Sequence, residues 1–402
     1  MIILFIFINL NTFSDIYKKT KNVFFQNVDK NNSLPKLISK KKEIFQDYDR
    51  IKDFIKNVRF NTFKHQINNS DIINNPKISI VIPIYNGENY IKTALISIQN
   101  QDFKDIQIVI VDDFSEDNSV NIIKEEMKDD KRINLYLNEK NKGILYSKVK
   151  GVMLAKGKYV MILDEDDMYI QNNAFSTLYK IAEKYKLDIL GFSSLVSNFD
   201  LINPLIFHYK ETEVFYQPKI SNLSIGYTKE GNINRFGDVL WIYFIKTEFF
   251  QKSLKLIDEK FLNTKMIWHD DLINFFLLSR NAYNFKHIKK FFHMKIIWNF
   301  TKLRTKAKAN NAQNLFCLSN INLIEFILIK TNNSISDKII PSYLMKKFLL
   351  QNECRNNSFI KERAINLSKL FLKNKYINLA LKKEISNFVN ERFSGKFEAK
   401  II

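Results

Sequence analysis

The sequence predicts an α/β fold in which helices flank a mostly parallel β-sheet. Between residues 77 and 200, short apolar runs that are typical of buried strands alternate with segments of helical period. This alternation is the pattern of βαβ units, whose crossovers bring successive strands into one parallel sheet. Acidic residues or polar turns follow several of these strands directly, at the sheet edge where α/β proteins bind ligands. The pattern therefore predicts both the fold and the edge that carries the function.

The strands and helices of this segment follow one another in order. The first apolar run, KISIVIP, leads through YNGEN into a helix, and the second, IQIVIV, ends in two aspartates. Gly143 begins a later helix that runs to about residue 155 and is stopped by Gly157 as a candidate C-cap, and Asn172 or Asn173 caps the next one. The predicted strands comprise residues 77–83, 106–111, 133–137, 159–163 and 188–192.

The flanking segments differ in character from this alternation, which divides the chain into four regions. We expect a helical, membrane-proximal extension at residues 1–75, the alternating region at 76–196 and an aromatic-rich region at 197–300. Residues 301–402 are Lys-rich and have helical period without a strand signal. The helical segments there comprise residues 323–329, 343–350, 365–372 and 377–388.

Composition restricts the classes of function. With 62 Lys and Arg against 42 Asp and Glu, the net charge of +20 favours anionic partners. The basic residues are spread singly along the chain and no zinc-finger or RNP-type motif is present, so nucleic acid is excluded as a partner. Two cysteines, Cys317 and Cys354, are too few for a disulfide framework, and we interpret both as core residues.

The first ten residues, MIILFIFINL, are apolar. A membrane-spanning helix needs about twice that length, and the positive charge that begins a signal peptide is absent. An interfacial anchor, a buried strand and a trimmed signal all fit this stretch. Together with the net charge, it suggests a cytoplasmic location with peripheral contact to an anionic membrane.

Four consecutive acidic residues, 164–167, follow the strand at 159–163. Carboxylates crowded at the end of a central strand repel one another unless a cation or a basic ligand compensates. One interpretation is a divalent-metal site that carries a phosphorylated substrate, and the other is a solvated acidic turn with a helix cap. The polar ends of the neighbouring strands favour the metal site, because all of them lie at the same sheet edge.

A second acidic pair, Asp270 and Asp271, precedes an amphipathic helix at residues 272–280. The helix dipole alone favours carboxylates at this position, so capping competes with a catalytic role.

Taken together, four segments resemble the family 2 glycosyltransferases, which are inverting enzymes of the GT-A (Rossmann-like) fold. They cover about 120 residues in the family's order, and the resemblance fades in the first 75 residues and the last hundred. A fifth segment, WHDD, is similar to the family's later Glu-Asp motif. The four segments are SIVIPIYNGENYI, VIVDDFSEDNS, NKG followed by SKVKGVMLAKGKY, and LDEDD.

This resemblance implies that residues 76–196 bind a nucleotide-sugar and that residues 197–300 form the acceptor side. It implies that the ring of Tyr85 packs on the nucleotide base, and that Asp113 accepts a hydrogen bond from a ring N–H of the base. Uracil offers such a donor, so a UDP-sugar is favoured. The nucleotide-binding residues implied are Pro83, Tyr85, Asn86, Glu88, Asp112, Asp113, Lys148 and Asp164.

The resemblance also implies a metal pair and a general base. Asp164 and Asp166 would form the DxD pair that holds Mn²⁺ or Mg²⁺, with Asp167 as an alternative ligand to Asp166. The cation would neutralise the leaving diphosphate, and a base on the opposite face of the sugar would take the proton of the acceptor hydroxyl. Asp271 is the expected base and Asp270 the alternative. The implied reaction is inverting transfer of a hexose or an N-acetylhexosamine from UDP to a glycan, lipid or protein hydroxyl.

The chain departs from the family at several positions. Ser147, Lys148 and Val149 stand where the family usually has Ala-Arg-Asn, so Lys148 keeps the charge without the bidentate fork of arginine. Asp270 stands where Glu is more frequent, and His269 precedes it. These departures bear chiefly on the choice of donor.

Two other functions compete with glycosyl transfer. A nucleotidyltransferase would call for a Gly-rich basic loop after the first strand, and PIYNGEN has one Gly and no basic residue. A catalytically silent sugar-nucleotide or glycan-binding protein is the alternative outside the enzymes. The presence of Asp166 and Asp271 argues against it.

Overall fold

The protein is described by a computed structural model, and its chain divides into two compact units, residues 1–53 and 54–402. The predictions for residues 1–10 and 343–350 lie outside the described residues, as does most of 377–388. The described residues are 48–60, 75–197, 199, 205–207, 212–217, 220, 226–227, 233–234, 239–264, 266, 269–296, 309–330, 358–374, 379, 382–383 and 386–387.

The second unit is built around one large sheet. Its strands are β1 (Ile78–Ile84), β2 (Ile106–Asp112), β3 (Ile133–Leu137), β4 (Tyr159–Ile162), β5 (Asp167–Tyr169), β6 (Ile189–Ser197), β7 (Leu205–Phe207), β8 (Phe215–Tyr216), β11 (Tyr243–Lys246) and β12 (Asn284–Ile296). Their order is β3-β2-β1-β4-β11-β6-β12-β5, with β7 beside β6 and β8 beside β12. A separate antiparallel pair is formed by β9 (Gly226–Tyr227) and β10 (Ile233–Asn234).

Helices connect the strands and continue beyond them. They are α1 (Tyr48–Phe60), α2 (Ile91–Gln99), α3 (Ser119–Asp129), α4 (Ile144–Leu154), α5 (Ala174–Tyr185), α6 (Thr247–Leu254), α7 (Glu259–Leu262), α8 (Asp270–Asn281), α9 (Ala309–Lys330) and α10 (Ser358–Lys373). The last two contain the predicted helical segments 323–329 and 365–372.

The predicted α/β fold is confirmed, and its first half is the parallel sheet that the sequence indicates. β1 pairs in parallel with β2 and β4, and β2 pairs in parallel with β3. All seven residues of β1 and of β2 are buried. Strands covered on both faces lack the alternation of half-exposed strands, which is why these runs are apolar throughout. Their carboxyl ends meet at one edge, where the acidic residues lie.

The second half of the sheet is mixed, and the sequence did not reveal five of its strands, β5, β7, β8, β11 and β12. β11 is antiparallel to both β4 and β6, whereas β12 is parallel to β6 and antiparallel to β5. The pairing of β12 with β6 shifts register between His287 and Phe291 and again between Phe291 and His293. Such irregularities break the period of two by which a strand is recognised. β6 is also longer than the predicted strand at 188–192 and ends at Ser197.

Two glycines on either side of α4 have different structural roles. Gly143 precedes α4 with φ of 92°, a conformation that favours glycine, and so begins the helix as predicted. Gly157 was expected to stop the same helix, but α4 ends at Leu154. A Cβ at Gly157 would lie 2.5 Å from the backbone of Ile78 and Ser79, so glycine is needed there for close packing against β1.

Two further findings concern the predictions from composition. Cys317 is buried, as expected of a core residue, and it is also disulfide-bonded. Among the helices that the structure describes, none has both the length and the apolar character needed to cross a membrane.

Candidate active site

The loops that follow β1 and β2 are joined by hydrogen bonds at the carboxyl edge of the sheet. The backbone N–H of Asn86 donates to Ser115 Oγ at 2.9 Å, and Asn86 Oδ1 accepts from the N–H of Glu116 at 2.9 Å. Glu88 Oε2 accepts from the N–H of Asn118 at 2.9 Å. The side chains of Asn86 and Glu88, both predicted to contact nucleotide, therefore hold these two loops together.

Each of these loops presents an exposed aromatic ring. Tyr85 is 45% exposed, and Phe114, which sequence reasoning did not select, is 48% exposed. Asn86 and Phe114 have φ of 55° and 69°, and such strained backbone in residues other than glycine is frequent at functional sites. Pro83 lies inside β1, as its penultimate residue, rather than in the loop. Tyr85 and Phe114 are thus the side chains at this edge that are open to a flat ligand.

The two aspartates at the end of β2 have different surroundings. Asp113 accepts three hydrogen bonds, from Asn138 Nδ2 and the backbone N–H of Lys142 to Oδ1 and from the N–H of Gly143 to Oδ2, at 2.7–2.8 Å. Asp112 accepts one from the N–H of Ser115 at its Oδ2, while its Oδ1 is buried without a hydrogen-bond donor. Asp113 therefore holds the start of α4 in place, and Oδ1 of Asp112 is the acceptor left open beside it.

Lys148 joins the two acidic clusters that the sequence separates by about a hundred residues. Its side chain, on α4, is only 3% exposed. Its Nζ lies 2.7 Å from Asp271 Oδ1, 2.8 Å from Asp270 Oδ2 and 3.6 Å from Asp164 Oδ1. Asp271 is also held through Oδ2 by the N–H of Leu240 at 3.1 Å. Lys148 was predicted to bind nucleotide, and the structure places its ammonium group among carboxylates.

A second lysine, Lys295 on β12, lies among the other carboxylates. Its Nζ is 3.2 Å from Asp167 Oδ2, 3.5 Å from Asp164 Oδ2 and 3.8 Å from Asp166 Oδ1. Asp164 therefore contacts Lys148 through one oxygen and Lys295 through the other. Sequence reasoning missed Lys295, because no motif marks it and β12 itself was not recognised.

Asp167 is the most enclosed member of the acidic tetrad. Its side chain is fully buried, with Oδ1 accepting from the N–H of Ile296 and Oδ2 lying 3.3 Å from His293 Nε2. His293 stacks on the ring of Trp241, with centroids 4.5 Å apart, and its Nδ1 lies 2.8 Å from Ser194 Oγ. These contacts fix Asp167 to β12, whereas the side chain of Asp166 is 20% exposed.

The electrostatics of the site separate the roles of its aspartates. Burial opposes ionisation of Asp164, but Lys148 and Lys295 outweigh it and lower its pKa to about 2. Burial raises the pKa of Asp271 to about 8, with the Asp270 and Asp164 carboxylates acting in the same direction and Lys148 against them. A permanently charged carboxylate and a carboxylate poised to exchange a proton thus share one lysine.

The tetrad and its surroundings fit a divalent cation. Asp164, Asp166 and Asp167 each bring a carboxylate oxygen within 4.8 Å of the others. Among the described residues, the ammonium groups of Lys148 and Lys295 together lie within 4 Å of five aspartates. Asp164 Oδ1 is buried without a hydrogen-bond donor. Carboxylate oxygens are the ligands that hard cations such as Mg²⁺ and Mn²⁺ prefer.

A comparison with models of known protein families agrees with the geometry of this site. Residues 79–242 match the sequence model of the family described as Glycosyl transferase family 2. Residues 79–242 therefore resemble a family 2 glycosyltransferase domain. The matched segment contains both interlocked loops, Lys148 and the acidic tetrad, and it ends before Asp270 and Asp271. The resemblance indicated by the sequence is thereby confirmed.

Curated glycosyltransferases match part of this chain. The chain is 35% identical over 152 residues to glycosyltransferase GlyA of Streptococcus pneumoniae, which is 37% of this chain and 21% of that protein. It is 38% identical over 117 residues to the GalNAc(5)-diNAcBac-PP-undecaprenol beta-1,3-glucosyltransferase of Campylobacter jejuni, 29% of this chain and 38% of that enzyme. The chain therefore spans well under two thirds of the length of either relative.

Solved structures extend the likeness in fold beyond the domain. The crystal structure of S. aureus TarS residues 1–349 in complex with UDP aligns with a TM-score of 0.54 and 16% sequence identity, covering 79% of this chain and 88% of that one. The complex of the same protein with UDP-GlcNAc gives the same values. At this identity the likeness shows the fold alone, and it agrees with the predicted GT-A architecture.

Proposed function

We propose that this protein transfers a hexose or an N-acetylhexosamine from a UDP-sugar to an acceptor hydroxyl, with inversion and with a divalent cation. The observation that carries the proposal is the Lys148 ammonium group, which lies within 3.6 Å of both Asp164 and Asp271. Direct displacement needs a diphosphate site on one face of the sugar and a proton acceptor on the other. Asp164 at the proposed diphosphate site and Asp271 as the proposed proton acceptor both contact Lys148, which suits that requirement.

The donor nucleotide would occupy the edge formed by the loops after β1 and β2. The exposed rings of Tyr85 and Phe114 suit stacking on a base, and Oδ1 of Asp112, which has no hydrogen-bond donor among the described residues, suits a ring N–H such as that of uracil. Asp113 contributes by holding the loop at Lys142 and Gly143. TarS, a protein of the same fold, has been crystallised with UDP and with UDP-GlcNAc, which supports a uridine donor.

Asp164 and Asp166 are the side chains that would hold Mn²⁺ or Mg²⁺. The bound cation would neutralise the charge that develops on the leaving diphosphate. Asp167 is the weaker candidate, because both of its oxygens already contact groups of β12. Its role is to anchor Lys295 and His293 beside the other two carboxylates.

Asp271 is the proposed general base. Its pKa of about 8 lies close to a working pH, where a base combines sufficient ionisation with sufficient proton affinity. The hydrogen bond from the N–H of Leu240 orients one oxygen, and Lys148 orients the other. Asp270 binds the same ammonium group and would help to hold it in place.

The acceptor is proposed to be a glycan, and a lipid-linked glycan is favoured. One relative is named for glucosyl transfer to an undecaprenol-linked oligosaccharide, and it is 38% identical to this chain over 117 residues. A net charge of +20 suits the anionic membrane surface at which such acceptors lie.

Replacing Asp166 by alanine tests the donor and metal assignments. We expect calorimetry with UDP and Mn²⁺ to give a Kd about 100-fold weaker than that of the unaltered protein, because a ligand of the cation that bridges to the diphosphate is lost. UDP binding without Mn²⁺ should change little. A panel of nucleotide-sugars with Mn²⁺, followed by thermal shift and nucleotide release, identifies the donor.

The matched control for Asp166→Ala is Glu125→Ala, which removes one exposed carboxylate from α3 and its ion pair with Lys128. Its UDP affinity should equal that of the unaltered protein. An Asp166→Ala protein with the same Mn²⁺-dependent affinity for UDP would refute the metal role, and no release of nucleotide from any sugar donor would refute glycosyl transfer.

The proposed membrane contact is tested by co-sedimentation with vesicles. We expect the full chain to sediment with phosphatidylglycerol-containing vesicles at low salt, and to be released at high salt because counter-ions screen its positive charge. Vesicles of phosphatidylcholine alone are the control and should bind less. Equal sedimentation with both vesicle types, or with neither, would contradict an electrostatic contact.

A further inference from the structure

We propose that Lys295 is the resident counter-ion of the acidic tetrad, and that a divalent cation binds there only by displacing its ammonium group. This inference rests on the proposed function, and it adds a residue that controls how the site takes up metal. Nζ of Lys295 lies 3.2–3.8 Å from Asp164, Asp166 and Asp167, the same three side chains whose oxygens cluster within 4.8 Å. The ammonium group is therefore placed where a cation would contact them.

The sheet fixes this placement. Lys295 pairs directly with Asp167 across the antiparallel ladder between β12 and β5, and the next residue, Ile296, donates its N–H to Asp167 Oδ1 at 3.3 Å. The backbone of Lys295 is consequently held beside the tetrad. A β12 shifted by one residue would turn this side chain to the other face of the sheet.

Exposure distinguishes Lys295 from the other lysine of the site. The Lys148 side chain is 3% exposed and enclosed by carboxylates, whereas that of Lys295 is 38% exposed. A flexible four-carbon stem with access to solvent allows the ammonium group to leave the carboxylates without a change of backbone. Lys148 has no such route, so the displaceable cation is Lys295.

Displacement is required by the geometry of metal ligation. Oxygen ligands approach a hard divalent cation to about 2.0–2.6 Å, and a cation at that distance from Asp164 and Asp166 would meet the ammonium group that contacts both. The two positive groups repel at this separation. Once displaced, Lys295 remains beside the tetrad, where it can bind the diphosphate of the donor. Metal uptake and donor binding would then favour each other.

Lys295→Met tests the proposal in the absence of nucleotide. We expect its affinity for Mn²⁺, measured by calorimetry or by the EPR signal of the free ion, to be about tenfold or more higher than that of the unaltered protein, since the competing charge is gone. Lys295→Arg should keep the low affinity. Lys290→Met is the matched control, because it removes the same charge from an exposed position of the same strand, and its Mn²⁺ affinity should be unchanged.

A second measurement uses the unaltered protein, so that a poorly folded variant does not decide the outcome. Acetylation of lysines by an N-hydroxysuccinimide ester, read by mass spectrometry, should increase at Lys295 when Mn²⁺ is added and stay constant at Lys290. Labelling of Lys295 that is unchanged or reduced at saturating Mn²⁺ overturns the proposal, as does a folded Lys295→Met protein without higher affinity. Either result leaves glycosyl transfer standing, because sugar-nucleotide turnover is measured separately.

Discussion

Replacing Asp271 by asparagine is expected to lower kcat for sugar transfer by about 10³-fold, the usual contribution of a general base. The substitution keeps the shape of the side chain and removes both its negative charge and its ability to accept the proton. Since Asp271 is not among the three carboxylates that cluster as possible metal ligands, the Kd for UDP with Mn²⁺ should stay within about twofold. Release of UDP from UDP-glucose and UDP-GlcNAc measures the first quantity, and calorimetry measures the second.

Asp270→Asn is the comparison that isolates the base, because it removes the same charge from the same ammonium group. We expect its effect on kcat to be the smaller of the two, about tenfold, since it would alter the position of Lys148 without removing the base. Equal losses in both variants would mean that the pair acts only through charge. A larger loss in Asp270→Asn would assign the base to Asp270.

The pH dependence of kcat/KM is a second test of Asp271 as the general base. Because a general base must be deprotonated and the pKa of Asp271 is raised to about 8, kcat/KM should rise about tenfold per pH unit below 8 and level off above it. In Asp271→Asn this limb should disappear from the residual activity. A flat profile of the unaltered protein between about pH 6 and 8 would be incompatible with Asp271 as the base.

The carboxyl edge of the sheet, where we propose that the donor binds, was predictable from the sequence because its residues lie at the ends of regular elements. Parallel strands buried on both faces are read as short apolar runs, and whatever follows them must lie at one edge. Asp113 and Asp164 were placed there correctly on this basis. The motifs then added the family, which the match to residues 79–242 confirms.

The cationic half of the site could not be predicted, for two physical reasons. Lys295 lies opposite Asp167 only because β12 returns to the sheet with two register shifts, and neither the strand nor its pairing leaves a periodic signal. Lys148 was found, but its partners were not, since a helix position does not indicate which of several distant carboxylates its side chain reaches. Sequence reasoning thus located charges at the edge of the sheet and left their pairing open.

That pairing makes Lys148 the residue whose loss should cost the most stability. Lys148→Met removes the buried ammonium group shared by Asp164, Asp270 and Asp271, and a buried charge deprived of its partner typically costs about 3–5 kcal/mol of the free energy of unfolding. Urea denaturation followed by circular dichroism measures the change. Lys158→Met is the control, because it breaks an exposed pair with Glu183 of similar length, 2.7 Å, and should cost less than about 1 kcal/mol.

The effect of pH separates lost charge compensation from lost packing in Lys148→Met. An aspartate in the unfolded chain titrates near about pH 4, whereas burial already raises the pKa of Asp271 to about 8 in the folded chain with Lys148 present. Without Lys148 the pKa of the buried carboxyls in the folded chain rises further. Each of them therefore destabilises the folded state at a pH where the same carboxyl is ionised in the unfolded chain. The deficit in the free energy of unfolding should therefore be small below about pH 4 and grow as pH rises towards neutrality. A deficit independent of pH would point to lost packing of the lysine stem, and Lys148→Arg, which retains the charge, should then be no more stable than Lys148→Met.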